Sequence, residues 1–129
     1  MTLLIIFNFN NCLRIIIIME ISHRTSKDAI ILNLSGSLDI YTSTDYKTYL
    51  TDRMKEPQKK IIINMEKLTY IDSSGIGMLI KSMNQVKEEG SEFFIANMKE
   101  QLNKLFVVAG LSAYFNFISE KDYIALYPI

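Results

Sequence analysis

A chain of 129 residues is about one domain, able to bury roughly two-thirds of its unfolded surface without disulfides or metals. Lys plus Arg balance Asp plus Glu at 14 each, which leaves no basic footprint for nucleic acid; the Lys59-Lys60 pair reads as a solvated strand edge. Cys12 is the only cysteine, so no intramolecular disulfide can form, and a reducing, cytoplasmic setting is expected.

Residues 1–18 are apolar but fit no targeting segment. A signal peptide wants a basic start, then an apolar run, then small residues at a cleavage site, and that order is absent. A membrane helix needs about 20 mostly apolar residues, and Asn8, Asn10, Asn11 and Arg14 interrupt this stretch. Direct membrane contact is therefore not expected. The leader is expected to be a translated upstream region or a poorly ordered tail that adds nothing to the core, with Met19 as the true start. The β-propensity of Ile15 to Ile18 keeps another reading open, an extra strand pairing at a sheet edge.

From Met19 the pattern predicts a strand near Glu20–Arg24, a turn at Ser26-Lys27-Asp28 and a strand over Ala29–Leu34. Strands joined this closely should pair antiparallel. Gly36-Ser-Leu-Asp39 leads into a helix with Thr42 or Ser43 at its N-cap, Asp45 in its first turn and Tyr46, Tyr49, Leu50 and Met54 at helical spacing; Pro57 lies beyond its end. Ile61–Met65 is apolar without alternation, as in a strand buried on both faces. Phe93–Ala96 is another strand, after which Asn97 is expected to cap a helix with an inner face of Leu102, Leu105, Phe106 and Ala109, ended by Gly110. Phe115–Ile118 makes a short last strand, and Ser119 with Asp122 resembles a capping box for a final helix to about Tyr127. Strands alternating with helices predict an α/β domain: a mixed, mostly parallel sheet after an N-terminal antiparallel hairpin, with about four helices.

One stretch organises the chain: Leu68-Thr-Tyr-Ile-Asp-Ser-Ser-Gly-Ile-Gly-Met-Leu79. Asp72, Ser73 and Ser74 can each accept bonds from the first free N–H groups of the helix that follows. Gly75 and Gly77 leave its first turn low and open to a partner, at a cost of roughly 0.5–1 kcal/mol each against Ala. Ile76, Leu79, Ile80 and Met83 form one face of that helix, and Gly90 fits its end. A hydroxyl at such a helix start sits where N–H groups and the helix dipole favour negative charge.

Ser–His catalysis through Ser73 is not expected. A hydrolase serine needs a base in reach and usually a Gly-x-Ser-x-Gly turn, but Ile71 stands two before Ser73, and the single histidine, His23, reads as a surface side chain in the first strand. Gly75-Ile-Gly77 is no nucleotide loop, because a dinucleotide fingerprint wants glycine where Ile80 stands and no Gly-Lys-Ser/Thr follows. One histidine and one cysteine give no zinc site, and Asp39 and Asp72 are too few to argue a hard cation. No cofactor is expected.

Tyr70-Ile-Asp-Ser-Ser-Gly-Ile-Gly77 resembles the signature of the STAS domain, and more closely that of the bacterial anti-sigma factor antagonists. The resemblance extends to Gly36-Ser-Leu-Asp39 and to Leu105-Phe-Val-Val-Ala-Gly-Leu111, and spans roughly Glu20 to Tyr127. It begins at Met19-Glu-Ile-Ser, which assigns 19–129 to the STAS domain and sets the leader apart. In that group the serine directly after the aspartate is the phosphoacceptor, here Ser73. The resemblance implies a non-enzymatic switch: the unphosphorylated form binds an anti-sigma factor that is also a serine kinase, phosphorylation releases it, and a serine phosphatase resets the cycle. Asp72, Ser74, Gly75, Ile76 and Gly77 would then face the partner. Asp39 and Ser43 would join them from the loop entering the first helix, or serve there only as turn and cap. Two other STAS roles stay open, a stressosome-type scaffold subunit and a small partner of a membrane transport system.

Overall fold

The computed structural model describes residues 1–58 and 60–129, and for residues 7–9, 12, 14 and 15 the backbone alone. Lys59 thus lies outside the described residues, while Lys60 is half-buried at the start of a strand.

Six strands lie side by side in chain order: β1 (Thr2–Phe9), β2 (Cys12–Ser26), β3 (Ala29–Leu38), β4 (Lys60–Ile71), β5 (Glu92–Ala96) and β6 (Asn116–Ile118). The first three pair antiparallel and the rest parallel. Parallel neighbours need a crossover, and α1 (Ser43–Arg53), α2 (Ser73–Glu88) and α3 (Glu100–Val108) supply the three that are required. A last helix, α4 (Glu120–Leu126), follows β6. The expected mixed α/β sheet with four helices is present. Among the described residues no helix is long and apolar enough to cross a membrane.

Alternation along the strands divides the core between the two faces of the sheet. Ile30, Leu32 and Leu34 of β3 and Ile61 and Ile63 of β4 pack with Tyr46 and Leu50 of α1, Leu79, Met83 and Val86 of α2, and Leu102 and Phe106 of α3. Ala29, Ile31, Ile62 and Ala96 point the other way, onto Tyr123 of α4 and Tyr127. Ile61, Ile62 and Ile63 are all fully buried, which explains the unbroken apolar run of β4. Between α1 and α2, the buried Tyr46 hydroxyl lies 2.8 Å from Ser82 Oγ. Ser82 Oγ is itself 2.7 Å from the Met78 carbonyl, so Ser82 donates along its helix and accepts from Tyr46. Burial raises the Tyr46 pKa far above the usual tyrosine range, against the opposing pull of this bond.

Four expectations need correction. The leader is not a loose tail: β1 and the first half of β2 form a hairpin at the sheet edge, closed by Asn10 and Asn11, both at positive φ (50° and 59°). Leu3 packs against the main core, and the Ile21 N–H donates to the Met1 carbonyl at 2.7 Å. Asn97 does not cap α3, whose N-cap is Lys99 with no side-chain bond. Instead it takes a left-handed turn (φ 58°) just after β5, and its Nδ2 donates to Asn64 Oδ1 at 2.9 Å, extending a carboxamide chain that Asn64 continues to Asn33. The inner face of α3 is narrower than expected, because Leu105 and Ala109 are exposed and only Leu102 and Phe106, one turn apart, reach the core. His23, finally, is half-buried rather than at the surface: Nδ1 lies 2.6 Å from the Tyr49 hydroxyl and Nε2 3.2 Å from an Arg53 nitrogen. A guanidinium only donates, so Nε2 accepts and the ring proton sits on Nδ1.

Candidate functional site

β4 ends at the buried Ile71, and Asp72 turns the chain from strand to helix in an extended conformation. Its carboxylate does two jobs. Oδ1 accepts the Gly75 N–H at 3.0 Å and caps α2, while Oδ2 accepts the Ile40 N–H at 3.3 Å and ties down the loop between β3 and α1. The Asp72 N–H donates to the Leu38 carbonyl at 3.3 Å, so the two segments are held twice. With both oxygens engaged by backbone amides, Asp72 is a cap and a staple, and a poor candidate for a base.

Ser73, the first residue of α2, is exposed; Ser74 and Ile76 are half-buried. Among the described residues neither the Ser73 and Ser74 N–H groups nor their hydroxyls have a hydrogen-bond partner. Neither Asp39 nor Asp72 has a salt-bridge partner there either. His23, the only imidazole, is occupied by Tyr49 and Arg53. The site therefore offers an accessible hydroxyl that no base among the described residues contacts, beside two backbone donors at the positive end of a helix.

The two glycines differ. A Cβ on Gly75 would lie 2.2 Å from the Leu38 carbonyl oxygen and 2.8 Å from Ile71 Cγ1, so this glycine lets α2 start hard against β3. Gly75 is buried and its role is internal. A Cβ on Gly77 would meet nothing within 4 Å, which makes Gly77 the open position in the first turn.

The loop before α1 comes to the same place. Asp39 is half-buried, and its Oδ1 accepts the Tyr41 N–H at 2.9 Å. Thr42 stands at the N-cap of α1 but does not cap it: its hydroxyl donates to the Ser37 carbonyl at 2.8 Å and accepts the Asp39 N–H at 3.0 Å. Ser43, the first residue of α1, is buried, and its N–H donates to the Asp39 carbonyl at 2.9 Å. What the loop does expose are two residues absent from the sequence-based site, Ile40 at 66% and Tyr41 at 72% of full accessibility. Tyr70, near the end of β4, adds a third apolar surface at 53%. A loop that should be polar but carries Ile-Tyr between Asp39 and Thr42 is the signal that would have found the first two.

The match to the STAS domain family covers residues 20–123. The anti-sigma-B factor antagonist of Staphylococcus aureus (strain NCTC 8325 / PS 47) is 26% identical over 80 residues, which span 62% of this chain and 74% of that protein. Solved structures share the fold, two of them forms of one protein. The anti-sigma factor antagonist SpoIIAA in its unphosphorylated form superposes with a TM-score of 0.66 at 21% identity, over 81% of this chain and 93% of its own. The Bacillus cell fate determinant SpoIIAA in its phosphorylated form gives 0.61 at 20% identity, over 83% and 96%. The family match runs from the second half of β2 into α4, with the Asp72–Ser73 turn at its centre: this chain belongs to the STAS domain family.

Proposed function

We propose that this protein is an anti-sigma factor antagonist that holds its partner when Ser73 is unmodified and lets go when Ser73 is phosphorylated. The observation that carries this reading is the placement of an exposed, unactivated Ser73 at the start of α2, beside the open Gly77 and the solvent-facing Ile40 and Tyr41. The hydroxyl receives a phosphoryl group from a separate serine kinase, so ATP serves that kinase and this chain turns nothing over. The kinase is the anti-sigma factor itself, which frees a sigma factor while bound here, and a serine phosphatase restores the binding form. Asp39 and Asp72 shape the contact surface through the backbone they hold, while Ile40, Tyr41, Ser74, Ile76 and Gly77 meet the partner. The name of the staphylococcal relative supports the partner class, and the existence of SpoIIAA in unphosphorylated and phosphorylated forms supports the switch. The test is a pull-down with unphosphorylated protein from the native cell. Capture of an ATPase-type kinase is expected; its absence under conditions that retain a folded bait would overturn the assignment.

A further inference from the structure

β1 is the outer strand of the sheet; it pairs with β2 on one side, and among the described residues its other side pairs with nothing. An outer strand offers a row of alternating N–H and C=O groups to any strand that approaches, and proteins usually blunt such edges with charge, proline, a bulge or extreme shortness. β1 is left bare. No charged residue and no proline occurs before Arg14. The only shift in its pairing lies between Leu3 and Leu4, so Leu4–Phe9 runs in unbroken register, from Leu4 opposite Ile17 to Phe9 opposite Cys12. The side chains are bare as well. Leu4 and Ile6 are exposed, and so are Leu13, Ile16 and Ile17 of the neighbouring strand.

A covering partner must bring an equally bare edge and uncharged side chains. A second copy of this chain brings both. Turned about a two-fold axis, β1 meets β1 antiparallel, the same groups face each other from both sides, and the contact closes on itself. Like charges facing each other across strands would oppose such pairing, and Leu4–Phe9 has none. We propose that β1 is a homodimerisation edge, through which the six strands of each copy join into one continuous sheet. With Ile6 of each copy opposed at the axis, Leu4–Asn8 pairs with its counterpart over five residues and exchanges about four to six hydrogen bonds. The buried strip is smaller than a standard interface of about 1,200–2,000 Å², so the dimer dissociates on dilution. This inference uses no residue of the Ser73 site and stands apart from the switch.

Sedimentation of the full chain over the micromolar range should show a monomer–dimer equilibrium. Amide hydrogen exchange then locates the contact. In the monomer alternate amides of Leu4–Asn8 exchange fast; at concentrations where the dimer dominates, consecutive amides should all be slow. Ile6→Lys, on an exposed side chain, should leave the melting temperature nearly unchanged and weaken the dimer at least about tenfold, because it sets a cation from each copy into one short ladder. Leu13→Lys is the control, since Leu13 is on β2, off the edge, and should change dimerisation less than about twofold by the same reasoning. A chain monomeric throughout, a dimer whose β1 amides still alternate, equal damage from Leu13→Lys, or open-ended growth into fibres would each overturn the proposal.

Discussion

The carboxylate of Asp72 holds the Ile40 N–H at 3.3 Å, and so joins the turn that presents Ser73 to the loop that presents Ile40 and Tyr41. Substitution separates its two bonds. Asp72→Ala loses the α2 cap and the loop staple together, and should cost about 1–2 kcal/mol of stability. Asn caps a helix about as well as Asp, so Asp72→Asn should keep the Gly75 bond and most of the stability. Its second atom becomes either an amide donor facing the Ile40 N–H or no partner at all. Asp72→Asn should therefore melt close to the parent yet bind the partner more weakly, which denaturation and titration measured side by side will show. Equal stability loss in both variants would mean that the loop staple, not the cap, dominates.

Gly75 and Gly77 make opposite predictions. Gly75→Ala places a methyl group 2.2 Å from a carbonyl oxygen of the backbone, a contact that only a shift of α2 away from β3 relieves. Overpacking of this kind costs typically 1–3 kcal/mol. Gly77→Ala meets open space and replaces the poorer helix former, so stability should rise by roughly 0.5–1 kcal/mol. Gly77→Gln should also fold but lose partner affinity, because its side chain fills the open first turn. Urea midpoints for the three variants decide the stability part, and binding of the two folded Gly77 variants decides the rest.

Alkaline pH should destabilise the fold through Tyr46. Its pKa is raised in the folded state by burial, so above about pH 10 the unfolded chain gives up a proton that the folded chain keeps. The folded state then binds more protons, and stability falls as pH rises, with a slope approaching about 1.4 kcal/mol per pH unit for this one group. Below pH 10 both states are protonated and the contribution is flat. Tyr46→Phe should lose about 1 kcal/mol at neutral pH, from the missing bond to Ser82. It should also show a shallower decline between pH 10 and 12, and unchanged slopes would show that other tyrosines set the alkaline limit.

Much of this arrangement is legible in the residues, and the exceptions have physical causes. Apolar continuity marks Ile61–Ile63 as buried on both faces, and Ser119 with Asp122 marks the start of α4, where Ser119 Oγ accepts the Asp122 N–H at 3.2 Å. Asn97 misleads because its carboxamide, which suits a cap, is drawn instead to Asn64 across the sheet. The hairpin is hidden for a different reason. Asn10-Asn11 interrupts an apolar run as a membrane-helix breaker would, yet two asparagines at positive φ are what a two-residue hairpin turn demands. Gly75 and Gly77 look alike in sequence, and only the position of the Leu38 carbonyl separates an internal glycine from an open one. Ile40 and Tyr41 escape notice because loops are read for their polar residues.

In the proposed switch, charge at one exposed hydroxyl decides binding. Phosphorylation of Ser73 adds roughly −1.5 to −2 charges at pH 7, with three strong acceptor oxygens. The N-terminus of α2 accommodates that charge, since the dipole and the Ser73 and Ser74 amides favour an anion there. The fold should therefore keep its melting temperature within a few degrees. A partner packed over Gly77, Ile40 and Tyr41 meets instead a hydrated dianion that it must strip of water, at a cost of several kcal/mol unless it brings a cation. A penalty of about 3–4 kcal/mol lowers affinity by two to three powers of ten. Ser73→Asp and Ser73→Glu should accordingly fold and fail to bind the kinase, whereas Ser73→Ala should bind it and resist modification. Ser74→Ala should remain a substrate, because Ser74 is half-buried and one residue into the helix. Mass spectrometry after incubation with the captured kinase and ATP gives the answer. Phosphate on Ser73 alone is expected, and phosphate on Ser74, or none, would reassign the switch.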